Sequence, residues 1–284
     1  MDRRVALVTG ASRGIGKASA LALARHGFDV AVTARTRHEG DGVDDSIPGA
    51  APVPGSLDTT CGAIAEAGGR ALAVPADLLD RSSLLAAVDQ VLGQWGRIDV
   101  LVNNAVHTGP GSMERFLDLD LDMITTKLEA NVVAQLVLIK AVLPGMLDRG
   151  EGTIVDITSA VATTDPPAPT GSGGWGLGYA MTKGAFHRVA GILAVELGPA
   201  GIFAVNVEPG YVLTERMQVA QERLGLKDRY PGAPPSVPAS VVAWLADRDT
   251  AAKRSERAEL NGTTVSAQRF ARQRGLHPDW WHPG

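Results

Sequence analysis

The sequence lacks the features that mark several large classes of protein. Its one cysteine, Cys61, excludes an internal disulfide and a cysteine-built metal site, which fits a reducing compartment. The six histidines are scattered without metal-ligand spacing, so we expect no metal. No apolar run approaches the ~20 residues of a membrane span, and the run starting at Val5 leaves no room for a signal peptide. We therefore expect a cytoplasmic protein with no membrane partner.

An excess of basic charge is also missing. The net charge is −4, and the basic pairs Arg3-Arg4 and Lys253-Arg254 are isolated from each other. Such a surface produces no field that would gather nucleic acid, so we expect no nucleic-acid partner. With 284 residues, 45% of them hydrophobic and 20% charged, the chain has enough apolar material for one large core.

Short apolar runs alternate with helical patterns along the chain. Continuous apolar runs are typical of strands that are covered on both faces. Seven strands are predicted, at 5–8, 30–33, 71–74, 99–102, 153–157, 203–207 and 262–266. Helices are predicted at 18–26, 57–67, 82–95, 119–147, 179–197, 214–224 and 239–247. The alternation predicts an α/β fold, a doubly wound parallel sheet (Rossmann fold) in a single domain spanning residues 1–266.

Two stretches and the C-terminus do not follow this pattern. Residues 36–56 are rich in Gly, Asp, Pro and Ala without apolar periodicity, and we interpret them as an exposed inserted loop. Residues 163–178 are rich in Pro, Gly and Ser and form a second inserted loop. The tail, 267–284, contains a possible short helix and the pair Trp280-Trp281, which would be unusual if exposed.

A tyrosine and a lysine stand four residues apart, at Tyr179 and Lys183, within a predicted helix. Residues at this spacing lie on one face of a helix, so the phenol and the ammonium would point into the same space. A fixed positive charge favours the phenolate and would lower the tyrosine pKa from about 10 towards working pH. The pair could then exchange a proton with a carbonyl or an alcohol, although this spacing also occurs by chance on surface helices.

Three glycines follow the first strand, at Gly10, Gly14 and Gly16. Glycines allow the backbone to approach a pyrophosphate, and the next helix offers free N–H groups and the positive end of its dipole. The spacing differs from the common G-x-G-x-x-G dinucleotide pattern. Taken alone, it is also compatible with a tight turn between strand and helix.

Several motifs together resemble one known family. They are Thr9-Gly10-Ala11-Ser12-Arg13-Gly14-Ile15-Gly16, Asn103-Asn104-Ala105, Ser159, the Tyr179/Lys183 pair and Pro209-Gly210. Their order and intervals, apart from the two insertions, resemble the compact, single-domain branch of the short-chain dehydrogenase/reductase family. The stretch before Leu57 weakly resembles the hydroxysteroid-dehydrogenase-like members.

The resemblance implies four catalytic residues. Ser159 would donate a hydrogen bond to the substrate oxygen, Tyr179 would move the proton, and Lys183 would hold the nicotinamide ribose. Asn131 matches the helix asparagine that keeps a water in the proton relay; from its position alone it is a solvated helix residue or a mild cost to helix stability. Thr158 lies on the other face of its strand and is not expected to contact the substrate. His187 is expected to pack, and His107 lies nearer the expected pocket.

The resemblance also implies which residues bind a nicotinamide cofactor. Asp77 and Leu78 would lie against the adenine, Asn104 and Ala105 against its ribose, and Thr214 at the carboxamide; Asp77 and Thr214 could equally be helix caps. The expected cofactor-binding residues are Gly10, Ser12, Arg13, Gly14, Ile15, Gly16, Arg35, Asp77, Leu78, Asn104, Ala105, Tyr179, Lys183, Pro209, Gly210, Val212 and Thr214.

The end of the second strand indicates which cofactor is used. An acid there would bind a ribose 2′-hydroxyl, whereas a basic group pairs with a 2′-phosphate. Ala34 occupies the acidic position and Arg35 follows it, with Arg13 in the glycine loop. NADP(H) is therefore favoured and NAD(H) remains possible, since both arginines could be ordinary surface residues.

Three substitutions depart from the family pattern. Val106 replaces the glycine that usually follows Asn-Asn-Ala, which could narrow the nicotinamide pocket. Asp156 stands where asparagine is frequent, and Glu208 places an acid beside the Pro-Gly turn. Neither acid is expected to touch the four catalytic residues.

The expected function is an NADP(H)-dependent oxidoreductase that interconverts a ketone and a secondary alcohol. Two alternatives stay open: an NAD-linked alcohol or dihydrodiol dehydrogenase, and a cofactor-binding sensor or scaffold without turnover. The second usually lacks the tyrosine or the lysine, and both are present here. The partner is a small-molecule substrate, and by analogy the chain forms a homodimer or homotetramer through the long helices at 119–147 and 179–197.

Overall fold

The computed structural model describes residues 3–44, 51–223 and 232–280. Three expectations fall partly outside these ranges: the centre of the first insertion, the last residue of the helix predicted at 214–224, and Trp281.

A single parallel sheet forms the centre of the molecule. Its strands are β1 (Val5–Thr9), β2 (Asp29–Ala34), β5 (Arg70–Pro75), β6 (Val100–Asn103), β7 (Gly152–Ile157), β8 (Ile202–Glu208) and β9 (Thr264–Ser266), and a separate hairpin is made by β3 (Val43–Asp44) and β4 (Ala51–Pro52). The sheet order is β5-β2-β1-β6-β7-β8-β9. All seven predicted strands are confirmed, and the order reverses at β1, as a doubly wound Rossmann sheet requires.

Helices cover both faces of the sheet. They are α1 (Gly14–Arg25), α2 (Leu57–Glu66), α3 (Arg81–Trp95), α4 (Leu121–Leu128), α5 (Ala134–Asp148), α6 (Leu177–His187), α7 (Val189–Leu197), α8 (Glu215–Arg223), α9 (Ser236–Ala246), α10 (Ala251–Leu260) and α11 (Ala267–Gln273). A π-helical turn, Glu129–Val133, joins α4 to α5 and divides what the sequence predicted as one helix. Helix α10 was not predicted.

Two hydrophobic cores result from the alternation of side chains along each strand. On one face, Val155 and Val205 pack with α1 and α9 through Leu23 and Val241. On the other face, Ile154 and Ala204 pack with the helices that precede and follow β7. Residues with odd and even numbers on β7 therefore belong to different cores, and this alternation later separates two parts of the site.

The first insertion folds back onto the glycine turn. Val53 N–H donates to Gly42 O at 2.9 Å, which extends the β3–β4 hairpin. Arg13 donates from Nε to Pro54 O at 2.9 Å and from one terminal nitrogen to Gly55 O at 2.7 Å. Gly55 has φ +106, where a Cβ would lie 2.6 Å from Ser12 O, so a side chain is excluded. The described part of this insertion is therefore attached to the domain.

The C-terminal segment contributes to the core. Phe270 of α11 is 8% exposed and meets Trp244 of α9 edge to face, with ring centroids 4.9 Å apart. The guanidinium of Arg274 stacks over both rings, and Trp280 packs against the same cluster. Aromatic pairs of this geometry add to the energy of burial.

The continuous helical stretch Leu121–Asp148 is long and apolar enough to cross a membrane by composition alone. Its inner face, however, buries Leu138 and Met146 in the core against the sheet, and two polar residues, Asn131 and Gln135, are buried on it as well. These contacts are those of a core helix.

Candidate active site

A groove of about 450 Å³ crosses the carboxyl edge of the sheet. Every residue expected to bind the cofactor lines it except Gly16, and Ser159, Tyr179 and Lys183 line it as well. Asn131 does not. Ligands of doubly wound sheets bind at this edge, near the point where strand order reverses.

The glycine turn at one end of the groove has no room for side chains. Gly10 has φ +65, and a Cβ on it would lie 2.8 Å from Ala105 Cα. A Cβ on Gly16 would lie 2.2 Å from Gly10 O, so a glycine is needed here for the close packing of the turn although it does not line the groove. Asn104 closes the packing by donating from Nδ2 to Thr9 O at 2.9 Å.

The first amide of helix α1 is engaged with an acid. Gly14 N–H donates to Glu215 Oε2 at 2.8 Å. Arg13 is the N-cap residue of α1, and its side chain makes no capping hydrogen bond. The N-terminus of a helix after a glycine turn is a general anion site, because its N–H groups and dipole favour negative charge. The carboxylate of Glu215 therefore stands in for the type of group, such as a phosphate, that this turn is built to bind. A dinucleotide fits here.

The end of the groove where the adenosine is expected lies beyond the second strand. Ala34 ends β2, and the exposed Arg35 follows it on the groove wall. Val43 and Val53 of the insertion also line this end. Asp77 accepts from Leu79 N–H at 3.0 Å, so its side chain shapes the local turn while its residue borders the groove.

Arg13 has a position that the sequence did not reveal. Its backbone borders the groove, but its guanidinium is occupied by carbonyl oxygens of the insertion. The expectation that this charge faces a 2′-phosphate does not agree with those bonds, because the planar fork of donors is already directed at the carbonyls of residues 53–55. Of the two arginines, Arg35 is the one exposed on the groove wall.

Ser159 and the Tyr179/Lys183 pair meet at the other end of the groove. Ser159 follows β7, and Gly176 begins the helix that carries the pair. Burial raises the pKa of the Tyr179 phenol above 10, while a hydrogen bond with Ser159 and the charge of Arg216 oppose the rise. The expected lowering by Lys183 is thus not observed, because the loss of hydration outweighs the favourable contacts.

Lys183 is directed at the sheet. The residue is 6% exposed, and its Nζ donates to Ile157 O at 2.8 Å. Burial lowers the lysine pKa from 10.5 to about 8, and the nearby carboxyl of Asp156 opposes that shift. Asp156 was expected not to touch the four catalytic residues; its charge nevertheless opposes the fall in the Lys183 pKa, and the charge of Lys183 opposes the rise in the Asp156 pKa.

Asn131 organises the backbone behind the groove. Its Oδ1 accepts from His107 N–H at 2.6 Å, and its Nδ2 donates to His107 O at 3.2 Å. Buried Lys127 reaches the same segment, donating to the carbonyl oxygens of His107 and Gly109. A π-helical turn at Asn131 was not predictable from helix periodicity, and such turns occur frequently at functional sites. Both side chains fix the wall that contains Val106 and His107.

Two further expectations concern residues beside the catalytic group. Thr158 faces helix α6, where its Oγ1 lies 3.1 Å from His187 Nδ1. His187 also lies 3.3 Å from Thr264 Oγ1, so the histidine packs helix against sheet.

Across residues 3–44, 51–223 and 232–280, no group of three or more His, Cys, Asp or Glu residues could hold a metal ion.

A glycine turn with an anion-binding amide and a Ser–Tyr–Lys group in one groove define a dinucleotide-dependent oxidoreductase on a Rossmann fold. The model of the family described as "short chain dehydrogenase" matches residues 4–225. The chain therefore belongs to the short-chain dehydrogenase/reductase family, and it is an NAD(P)-dependent oxidoreductase acting on CH–OH donors.

Individual relatives agree with this assignment. Cyclohexanol dehydrogenase of Rhodococcus sp. (strain TK6) is 36% identical over 224 residues, covering 78% of this chain and 79% of that protein. Oxidoreductase UcpA of Escherichia coli (strain K12) is 35% identical over 211 residues, covering 74% of this chain and 70% of that protein.

Solved structures show the same fold. A short-chain type dehydrogenase/reductase from Mycobacterium marinum matches with a TM-score of 0.74 and 27% identity, covering 93% of this chain and 94% of the other. A 3-oxoacyl-[acyl-carrier protein] reductase from Brucella melitensis in complex with NAD matches with a TM-score of 0.73 and 28% identity, covering 94% and 96%.

Proposed function

We propose that this protein is an NADP(H)-dependent oxidoreductase that interconverts a ketone and a secondary alcohol, with Tyr179 as the general acid and base. The observation that carries the proposal is that Ser159, Tyr179 and Lys183 line the same groove as the glycine turn. A proton-transfer group and a dinucleotide site in one groove are the two parts that such a reaction needs.

The chain's own residues hold the reactants and move the proton. The dinucleotide, when bound, supplies or accepts the hydride. Ser159 donates a hydrogen bond to the substrate oxygen, where negative charge develops during reduction. Tyr179 gives that oxygen a proton, or takes one from the alcohol in the reverse direction. Lys183 holds the cofactor ribose and provides positive charge, and Asn131 supports the wall beside this group.

The substrate class is inferred from chemistry and from a relative. The groove that contains Ser159 is also lined by Val106, Tyr211 and Met217. Apolar walls around a few polar groups suit a small substrate with one reacting oxygen. The printed activity of the relative cyclohexanol dehydrogenase supports a secondary alcohol or its ketone as the substrate class.

The preference for NADP(H) is supported by two residues at the end of β2. Ala34 offers no carboxylate to a ribose 2′-hydroxyl, and Arg35 places a cation on the groove wall. A phosphate with a guanidinium partner gains charge-assisted hydrogen bonds. NAD(H) use is the second candidate, and it is favoured by the occupation of the Arg13 guanidinium by the insertion.

Self-association is part of the proposal. Ile192 and Val195 of α7 are 53% and 80% exposed, and Leu136 and Leu147 of α5 are each 36% exposed. Exposed apolar side chains on two long helices favour pairing with a second copy. We therefore propose a homodimer or homotetramer formed through α5 and α7.

A substrate panel tests the activity, the cofactor and the mechanism together. Cyclic and linear ketones are assayed with NADPH and with NADH, for the unchanged protein and for Tyr179→Phe. We expect reduction with a higher kcat/KM for NADPH, and a loss of about 10²–10⁴-fold in Tyr179→Phe because a general acid contributes that much.

The phenylalanine variant also serves as its own binding control. Its affinity for NADPH, measured by the change in nicotinamide fluorescence, should stay close to that of the unchanged protein. Equal efficiency with both cofactors would contradict the NADP(H) assignment, and unchanged turnover in Tyr179→Phe would contradict the role of the tyrosine. Tight cofactor binding without turnover on any ketone or alcohol would favour a sensor or scaffold.

A further inference from the structure

A row of three polar side chains crosses the core beneath the catalytic group. Asn103, Asp156 and Asn206 are direct partners on β6, β7 and β8, and none is more than 2% exposed. Asn103 Nδ2 donates to Asp156 Oδ1 at 2.9 Å, and Asn206 Nδ2 donates to His187 O at 2.8 Å. The reaction proposed above uses none of the three.

This row leaves oxygen atoms unsatisfied. Asn103 Oδ1, Asp156 Oδ2 and Asn206 Oδ1 are buried without a hydrogen-bond partner. Buried polar atoms of this kind are costly, so an unexplained cluster at strand ends near an active site calls for a role. Burial raises the pKa of the Asp156 carboxyl to about 7, against the opposing effects of Asn103 and Lys183. The carboxyl therefore changes charge within the working range of most enzymes.

Lys183 approaches the same strand from helix α6. Its Nζ donates to the carbonyl of Ile157, the residue after Asp156. The titratable group of α6 that affects Asp156 is Lys183, and the direct partners of Asp156 on β6 and β8 are the amides Asn103 and Asn206. His187 is a further titratable group of α6 near this strand. His187 points its ring at Thr158 and Thr264, and burial and Arg188 lower its pKa. Lys183 is thus the cation to which Asp156 responds.

We propose that Asp156 is a positioning residue that keeps Lys183 charged and held against β7 behind Tyr179. As a carboxylate it compensates for the ammonium's loss of hydration in the core; as a neutral acid it does so no longer. The proton stays on Asp156 at low pH and leaves as pH rises, so the support for Lys183 is present at alkaline pH. The kinetic consequence rests on the function proposed above.

Asp156→Asn is the matched variant, because asparagine keeps an oxygen for Asn103 and imitates the protonated acid. The assay is the oxidation of a secondary alcohol from pH 6 to pH 10. In this direction the Tyr179 phenolate accepts the proton, so its deprotonation does not end activity, whereas loss of the Lys183 proton does. Removing a nearby negative charge lowers the pKa of the lysine.

The two proteins should therefore have similar kcat/KM near pH 6 and separate at higher pH. We expect the midpoint of the alkaline decline to be lower in Asp156→Asn by about one pH unit, since an opposite charge nearby shifts a pKa by about 1–3 units. The midpoint belongs to the coupled pair. A decrease in kcat/KM by the same factor at every pH would reduce Asp156 to a packing residue and would overturn the proposal.

Thermal unfolding without cofactor provides a readout that needs no turnover. A carboxyl whose pKa in the folded protein exceeds its value of about 3.9 in the unfolded chain loses stabilising effect as pH rises. Lys183 changes the Tm difference in the same direction. Its pKa is lower in the variant, so the gain in stability that accompanies loss of its proton begins at a lower pH. The Tm of Asp156→Asn minus that of the unchanged protein should therefore increase from pH 5 to pH 8.

Asp148→Asn, which removes an exposed carboxylate at the end of α5, is the control and should show a constant difference. A constant difference for Asp156→Asn would overturn the proposal whether or not the protein is active. The expected Tm change without turnover on any alcohol would instead overturn the proposed function, leaving the titration of buried Asp156 in the folded protein established.

Discussion

Glu215 occupies the amide that a phosphate would use. Its Oε2 lies 2.8 Å from Gly14 N, the first amide of α1. Thr214, the preceding residue, is the expected carboxamide contact, and its Oγ1 accepts from Met217 N–H at 3.3 Å as a helix cap. We therefore propose that a bound dinucleotide phosphate competes with this carboxylate for the Gly14 amide and displaces it.

Glu215→Gln should bind the dinucleotide about fivefold more tightly. A hydrogen bond to a charged acceptor is worth about 1 kcal/mol more than one to a neutral acceptor. In the variant the dinucleotide therefore displaces a weaker bond at Gly14 N–H than it does in the unchanged protein. The dissociation constant for NADPH is measured by nicotinamide fluorescence, with Glu196→Gln, an exposed acid on α7, as the control. An unchanged or weaker affinity would show that the carboxylate does not oppose the cofactor.

The β3–β4 hairpin lies beside the groove and is held there by hydrogen bonds with Arg13 and Glu39, which together are called the brace. Three carbonyl oxygens, those of Val53, Pro54 and Gly55, accept from the Arg13 guanidinium. Glu39 Oε1 accepts a further hydrogen bond from Gly55 N–H at 2.7 Å. Val43 and Val53 line the groove, so these bonds also shape the end at which the adenosine is expected.

Arg13→Ala should loosen this element and leave the sheet intact. We expect amide hydrogen exchange in residues 51–57 to increase by at least about tenfold, because local opening follows the loss of the contacts that resist it. Exchange mass spectrometry measures the effect, and Lys17→Ala on α1 is the control.

Cofactor binding separates the two roles of Arg13. A brace lowers the affinities for NADPH and NADH by similar factors, whereas a 2′-phosphate ligand lowers the affinity for NADPH alone. Unchanged exchange together with a selective loss of NADPH binding would restore the role that the sequence suggested.

Local patterns were sufficient to predict the strands but not the contacts between distant segments. The run at Val5 and the β-branched residues of β7 indicate buried strands directly. Helix α10 was missed because its sequence, AAKRSERAEL, is mostly polar and only Arg257 is buried. The bonds of Arg13 with residues 53–55 depend on how the insertion folds back, which no periodicity records.

The same distinction holds for the site. Family motifs located Ser159, Tyr179 and Lys183, and the structure brings them to one groove. The couplings of Asp156 with Lys183 and of Glu215 with Gly14 were not predictable, because each joins elements far apart in the chain. The tyrosine pKa had the wrong expected direction, since the sequence shows a nearby charge but not how much hydration is lost.

Contacts that stabilise the whole molecule include residues beyond 266. The sequence placed 267–284 outside the domain as a tail, and α11 contributes Phe270 and Ala271 to the core that also contains Trp244. Arg257 of α10 donates to Thr153 Oγ1 at 2.8 Å and stacks on Phe203, which belongs to the same core. We therefore propose that the cooperative unit includes α10 and α11.

Phe270→Ala should lower the free energy of unfolding by about 3–5 kcal/mol, the range found when a buried aromatic side chain is truncated. Chemical denaturation followed by circular dichroism gives the value, and Gln273→Ala, exposed on the same helix, should change little. A loss below about 1 kcal/mol, or a separate transition for the tail, would support the division at residue 266.

The alternation of side chains on β7 gives the strand a constraint on its length. Thr158 Oγ1 lies 3.1 Å from His187 Nδ1 of α6, Asp156 shares that face of the extended chain, and Ser159 follows on the other face. One inserted or deleted residue between Gly152 and Ile157 would exchange the two faces and would remove the serine and the carboxylate from their places together. Single substitutions in this strand can therefore be tolerated. A change in its number of residues would displace Ser159 and Asp156 together.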